Sequence, residues 1–438
     1  RFAGKLTDER GVVMASTAVM MVGGPTKGTR FRPLSLTLMK PLFPIAGKPL
    51  VMHPVLACSK IKDLLQVVLV GFYPKADMES LDTALLSREL GVPVTYVQEE
   101  AGGYGSAGGL HRFKDIILEG DPKYIFVLNC DVCSDYPLDE LLASHRRNPQ
   151  AEATMLVKEV DAETAKQHGN VVLDPSKGGQ VLHYAEKPGS LVSKTVNCGI
   201  YVFSAPAIFD EIGAILESTA AAADAETQSF HDDLQLMSTT ASQWKKDQGG
   251  AAGPLQPKLG MPDVFIHLVE RKVLYSYYCK GFWEVLKNPG LTLKFSALYL
   301  GEMGSELALA RARLKGGPEI VGNVYIHPDA VVHPTARIGS NVAIEAGAVV
   351  GAGVRIKDCI VLNDVRVMQN ACLVNAIIGW GSVIGPWARI QGSEDYDSKM
   401  GVCILAEDVT VGPRVVVSSS IILPHKEIKA SVSNEIVL

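Results

Sequence analysis

Apolar runs of five to eight residues recur between residues 18 and 203, separated by polar stretches with helix-like spacing. They are Ala18–Val22 (AVMMV), Leu65–Phe72 (LQVVLVGF), Val92–Val97, Tyr124–Leu128 (YIFVL), Glu152–Val157 and Cys198–Phe203. Continuous apolar runs suit strands buried on both faces. Alternating with helices, they predict a parallel, doubly wound α/β sheet. The pattern stops between about Ser218 and Met261, where an alanine-rich run (219–225) is followed by Gly249-Gly250 and Pro254. This predicts an exposed, mobile insertion with only short helical pieces. Regular patterning returns over Phe265–Tyr278 and Leu291–Leu300, and a Gly316-Gly317-Pro318 link follows. The expected division is a tail over 1–14, a domain over 15–315 and a second domain over 316–438.

A different period governs the second domain. Positions 320, 326, 332, 338, 344, 350, 356, 362, 368 and 374 carry Ile, Ile, Val, Ile, Ile, Val, Ile, Leu, Met and Val. The repeat shifts phase later, through Ile378, Ile384 and Ile390, then Val411 and Val417, and glycine often follows the aliphatic, as at Gly339, Gly351, Gly379, Gly385 and Gly412. Units of six residues are too short for helical repeats and fit a short strand plus a turn. Three units then make one coil of a parallel β-helix with the aliphatics inside. The period leaves the hand of the helix open.

Composition narrows the function classes. A chain of 438 residues is long for one core. Its net charge of −5 argues against a nucleic-acid binder that needs a broad basic face. No apolar run approaches the roughly 18–20 residues that cross a bilayer, so no membrane is expected. Eight cysteines are too sparse for a disulfide scaffold and suit a reducing, cytoplasmic setting. Cys130 and Cys133 lack the second pair of a four-cysteine zinc site. Residues 1–13 have no apolar core and do not read as a signal peptide.

The candidate chemistry starts after the first strand, in Gly23-Gly24-Pro25-Thr26-Lys27-Gly28-Thr29-Arg30-Phe31-Arg32-Pro33-Leu34, followed by Lys40-Pro41-Leu42. Ligands of open α/β sheets bind at the carboxyl ends of strands. Glycines there let backbone N–H groups approach phosphate oxygens, and Lys27, Arg30, Arg32 and Lys40 offset phosphate charge. The spacing is neither that of a dinucleotide fingerprint nor that of a P-loop. Asp131, just beyond the Tyr124–Leu128 run, places a carboxylate at a strand end, which suits a phosphate-bridging metal but also an ordinary turn.

Gly28-Thr29-Arg30 with Arg32-Pro33-Leu34 and Lys40-Pro41-Leu42 resembles the signature of sugar-nucleotide pyrophosphorylases, and the hexapeptide region resembles the left-handed parallel β-helix that many of them carry after a Rossmann-like nucleotidyltransferase domain. More narrowly, VLNCDVCSDYPL (127–138), HYAEKP (183–188), VNCGIYVFS (196–204), GNVYIHP (322–328), IIGWGSVIGPWARIQG (377–392) and IILPHK (421–426) resemble the alpha-type regulatory subunits of GDP-mannose pyrophosphorylase, or mannose-1-phosphate guanylyltransferase. The resemblance implies nucleotide binding by Gly23, Gly24, Gly28, Thr29 and Arg30 and by the small-residue turn Gly105-Ser106-Ala107-Gly108. It implies sugar binding by Glu186, Lys187 and Asn197, a catalytic role, vestigial or weak, for Arg30 and Lys40, and a Mg²⁺ ligand at Asp131. The expected partners are GDP-mannose or GTP and a catalytic beta-type homologous subunit.

Two departures from active members stand out. Three residues, Pro25–Lys27, separate Gly24 from Gly28 where active members have one. Val285, in Phe282-Trp283-Glu284-Val285, takes the position of their second metal-binding aspartate. Valine offers no oxygen to Mg²⁺. These departures favour a regulatory subunit that binds nucleotide sugar and turns over little. The alternatives left open are an active guanylyltransferase using Glu284 or water in place of the missing aspartate, and an assembly subunit of a nucleotide-exchange factor.

Overall fold

Strand Ser16–Gly23, the first apolar run, pairs in parallel with Leu64–Gly71 on one side and Tyr124–Asn129 on the other in a computed structural model of the chain. The structure describes residues 15–24, 29–79, 81–100, 105–219, 258–307, 316–396, 398 and 400–438. The chain divides into two compact units, one formed by the segments up to Gly23, Val55–Asn129 and Tyr136–Lys280, the other by Gly24–Pro54, Cys130–Asp135 and Gly281–Leu438. The sequence reading puts the boundary between the two domains at 315/316. In space, the segments 24–54, 130–135 and 281–307 go with the C-terminal unit.

The first unit is built on a nine-stranded sheet, in the order Val94–Gln98, Leu64–Gly71, Ser16–Gly23, Tyr124–Asn129, Thr195–Ser204, Ala153–Glu159, Leu274–Tyr278, Gln180–Ala185, Asn170–Asp174. Ala18, Val19 and Met20 are all fully buried, as a strand covered on both faces requires. Its core joins Val19, Val68, Val127, Met155 and Phe203 to Ile208 and Phe265 from helices 205–219 and Met261–Glu270. The sheet is mixed rather than wholly parallel. Thr195–Ser204 runs antiparallel to both Tyr124–Asn129 and Ala153–Glu159. The chain reaches it through the antiparallel hairpin Asn170–Asp174/Gln180–Ala185, with no helix to carry it back to the same edge. Helix 205–219 extends past the expected start of the 218–261 insertion, of which 220–257 lie outside the described residues.

The second unit carries the coils. Ile320, Ile338 and Ile356 stack in parallel register, 18 residues per coil, so three hexapeptides make one turn as expected. From Ile356 to Leu373 to Ile390 each coil takes 17 residues, and from Ile390 to Val417 it takes 27, the excess containing 393–401. The first 17-residue coil slips the phase at Asp358, which has a left-handed φ of 49°. Inward positions then become Val361, Val367 and Leu373. The strict count of six therefore fails at its end: Met368 is 40% exposed and Val374 only half-buried.

Within this unit the signature segment rests on the coils. Phe43 meets Trp380 edge-on at 6.0 Å, and the Thr37 hydroxyl donates to Glu407 at 2.9 Å. Gly47 has a φ of +81°, and a Cβ there would fall 2.3 Å from the Tyr325 ring. Only glycine fits this turn of the Pro44–Ile45/Lys48–Pro49 hairpin.

Candidate functional site

Of the residues that the resemblance assigns to phosphate, Thr29, Arg30 and Lys40 fall in the second unit. Thr29 and Arg30 stand exposed in a short 3₁₀ turn whose Phe31 is buried against Phe43, with ring centroids 5.3 Å apart. The apolar ring fixes the turn and leaves the guanidinium in solvent. Gly24 is buried, while Pro25–Gly28, and so the three-residue spacer, lie outside the described residues. Gly23 ends its strand in the first unit with φ +79°.

Lys40 opens the 3₁₀ turn Lys40–Leu42, and its ammonium is held twice. Nζ donates to Asp131 Oδ2 at 2.9 Å and to the Leu286 carbonyl at 2.6 Å. Asp131 stands between strands Tyr124–Asn129 and Val132–Ser134. The latter pairs antiparallel with Trp283–Val285 so that Val285 faces Val132, and the Leu286 N–H donates to the Asp131 carbonyl at 2.8 Å. The register thus sets Val285 opposite Val132, the residue that follows Asp131. Glu284 pairs with the Lys294 ammonium. Alternation along the strand turns it away from the face of Val285.

This donor set does not fit Mg²⁺, which wants several hard oxygens in near-octahedral array. Asp131 contributes one carboxylate already engaged by Lys40, Val285 contributes none, and Glu284 has its own partner. Among the described residues no group of three or more His, Cys, Asp or Glu side chains is placed to hold a metal ion.

The residues that the resemblance assigns to the sugar form a polar cluster in the first unit. Strand Gln180–Ala185 leads to Glu186, whose Oε2 accepts from the Tyr184 hydroxyl at 2.6 Å and whose Oε1 lies 2.9 Å from Lys187 Nζ. Lys187 is 65% exposed, with φ +43°. Asn197, on strand Thr195–Ser204, donates from Nδ2 to the Tyr201 hydroxyl at 2.9 Å and accepts the Gly199 N–H at 2.8 Å. Burial pushes the Tyr184 and Tyr201 phenols well above their ordinary range, so both stay protonated donors. Gly169 lines the same cluster, since a Cβ there would fall 2.3 Å from the Tyr184 hydroxyl. The sequence reading found Glu186, Lys187 and Asn197 but missed Tyr184, Tyr201 and Gly169. Tyr184 was recoverable, lying two positions before Glu186 along an extended segment.

The small-residue turn opens helix Gly105–Arg112. Its first free donors are occupied from within the unit. The N–H groups of Ala107 and Gly108 donate to the Leu259 carbonyl at 3.1 and 3.3 Å, and Ser106 Oγ accepts the Met261 N–H at 2.9 Å. Gly105, with φ +82°, has no room for a Cβ against that carbonyl. The turn joins two helices closely, and any ligand contact there would come from what these bonds leave over.

Residues 17–249 match the family model described as nucleotidyl transferase, and residues 320–437 match the one described as GMPPB C-terminal domain. The chain is 39% identical over 428 residues to the mannose-1-phosphate guanylyltransferase regulatory subunit alpha of Dictyostelium discoideum, covering 96% of this chain and 98% of the relative. It is 39% identical to the regulatory subunit alpha of Xenopus tropicalis and 38% identical to that of Sus scrofa, each over 96% of this chain and 99% of the relative. A signature segment seated on hexapeptide coils, a single carboxylate tied to a lysine and near-complete coverage of these relatives agree: this chain belongs to the nucleotidyl transferase family, among the regulatory alpha subunits of mannose-1-phosphate guanylyltransferase.

Proposed function

We propose that the chain binds GDP-mannose and controls a catalytic, beta-type sister subunit that makes GDP-mannose from GTP and mannose 1-phosphate, while turning over little itself in the cytoplasm. The observation that carries this reading is the Asp131 carboxylate engaged by Lys40, with Val285, paired to the neighbouring Val132, offering no oxygen. Guanylyl transfer would require a sugar phosphate to attack the α-phosphorus of GTP in line, with charge developing on pyrophosphate. This chain brings Arg30 and Lys40 to that charge but lacks the oxygen donors of a metal clamp. The Tyr184–Glu186–Asn197–Tyr201 cluster keeps donors and acceptors suited to sugar hydroxyls, which supports retained binding without efficient chemistry.

Loss of one charge-stabilising group of this kind lowers turnover about 10²–10³-fold. Pyrophosphate release from GTP and mannose 1-phosphate by the chain alone should therefore fall far below the roughly 10 s⁻¹ of a median enzyme. Calorimetric titration with GDP-mannose should still show binding. Turnover near the median, or no heat of binding, would overturn the reading.

A further inference from the structure

We infer that Lys40 is a built-in cation standing where a divalent ion would otherwise bridge Asp131 and the ligand, so that this chain takes a nucleotide-sugar diphosphate without metal. The inference rests on the binding half of the proposed function and goes beyond it by naming what neutralises the diphosphate. Lys40 Nζ donates to Asp131 Oδ2 at 2.9 Å and to Leu286 O at 2.6 Å. An ammonium has three donors, and these two bonds leave one for an anion. The Lys40 side chain is only 16% exposed, against 38% for Asp131, so the cation is anchored from below rather than waving in solvent.

A metal would have to displace this ammonium, and its reward would be poor. Val285, paired with the neighbouring Val132, offers no oxygen to complete a coordination shell, and Glu284 is held by Lys294. Mg²⁺ also dehydrates reluctantly and binds weakly to a single carboxylate. The ammonium needs no such completion. It is covalently tethered, its carboxylate partner cancels its charge when no ligand is bound, and a diphosphate draws on the remaining donor together with exposed Arg30 and Arg32.

The test uses the full chain in two arms. In the first, GDP-mannose is titrated calorimetrically in EDTA and again in millimolar MgCl₂. Affinities agreeing within about twofold are expected, and tightening by Mg²⁺ of about tenfold or more overturns the inference. Lys40→Met should lose about tenfold or more in EDTA, the value of one charge-assisted hydrogen bond, while unchanged affinity overturns the role given to Lys40. In the second arm, Mn²⁺ is titrated into the ligand-free chain and followed by electron paramagnetic resonance. No stoichiometric site is expected in the wild type, and one should appear when Lys40→Met is combined with Val285→Asp. A stoichiometric wild-type site abolished by Asp131→Asn overturns the inference. Failure of GDP-mannose to bind in either buffer would sink the proposed function instead, and the Mn²⁺ arm would still decide this point.

Discussion

Glu345 is a buried carboxylate with one recorded hydrogen bond, from the Gly47 N–H, and its Oε1 has no partner among the described residues. It is 5% exposed, and Tyr325 stands close enough to feel its charge. Burial raises its pKa from 4.5 to about 7. Between those values the native state holds a proton that the unfolded chain has lost. Stability therefore falls as pH rises through this window, with the full loss in place above about pH 7. At 1.36 kcal/mol per pKa unit the loss is about 3 kcal/mol. Glu345→Gln keeps an acceptor for Gly47 and removes the charge. Denaturant melts should show the variant gaining on the wild type at pH 8 and not at pH 4.5; equal differences at both would refute the assignment. Asn197 is a different case. Its amide donates to Tyr201 and accepts the Gly199 N–H, so it also holds the tyrosine in place. Asn197→Ala leaves a buried hydroxyl short of a partner and should cost about 1–3 kcal/mol of stability with no ligand present. Thermal melts without nucleotide check this, and an unchanged midpoint would return Asn197 to a pure contact role.

The coils show what a periodic element gives away in its sequence and what it conceals. Aliphatics every six residues announced the β-helix because each must reach the interior, and the stack Ile320–Ile338–Ile356 follows that count without error. The phase beyond Ile356 was hidden. A 17-residue coil removes one residue at a corner, and the left-handed Asp358 that accommodates it looks like any other turn residue in sequence. Met368 and Val374 therefore satisfied the count by composition while the inward places went to Val367 and Leu373. The site divides similarly. Asp131 and Val285 could be singled out because both lie in short motifs, whereas the Lys40 bond to Leu286 joins positions far apart in the chain and leaves no local trace. Likewise Thr195–Ser204, antiparallel to the strands on either side of it, carries an apolar run indistinguishable from theirs. The phase can be tested directly. Leu373→Ala should cost about 2–5 kcal/mol through the cavity it opens, and Met368→Ser no more than about 0.5 kcal/mol. Comparable losses from the two would restore the unbroken period.

At the scale of the whole molecule, a regulatory chain needs a surface through which its catalytic partner can sense it. Ile421 and Ile422 are buried in the coil stack, while Ile436 and Leu438 are 38% and 80% exposed. Further exposed apolar side chains lie on the same unit. Val331 and Val349 are register neighbours on the outer face of the six-stranded sheet, 63% and 42% exposed, and Trp387 is 62% exposed at a corner. Exposed aromatic and aliphatic side chains of this kind are the features of an interface core. The same coils seat the signature segment through Phe43 on Trp380, Gly47 on Tyr325 and Thr37 on Glu407. A partner bound on the outer face would therefore press on the body that positions Lys40, and no separate linkage is needed within this unit. The expected outcome is that the chain and a catalytic homologue, mixed at micromolar concentration, form a hetero-oligomer by light scattering. Val331→Asp with Val349→Asp, or Trp387→Ser alone, should weaken that assembly about tenfold or more, the cost of losing one anchor of the kind that dominates interfaces. Because all three side chains face solvent, their melting curves should stay near the wild type. Assembly undiminished in both variants would move the interface off this face and, with it, the route by which the partner reaches Lys40.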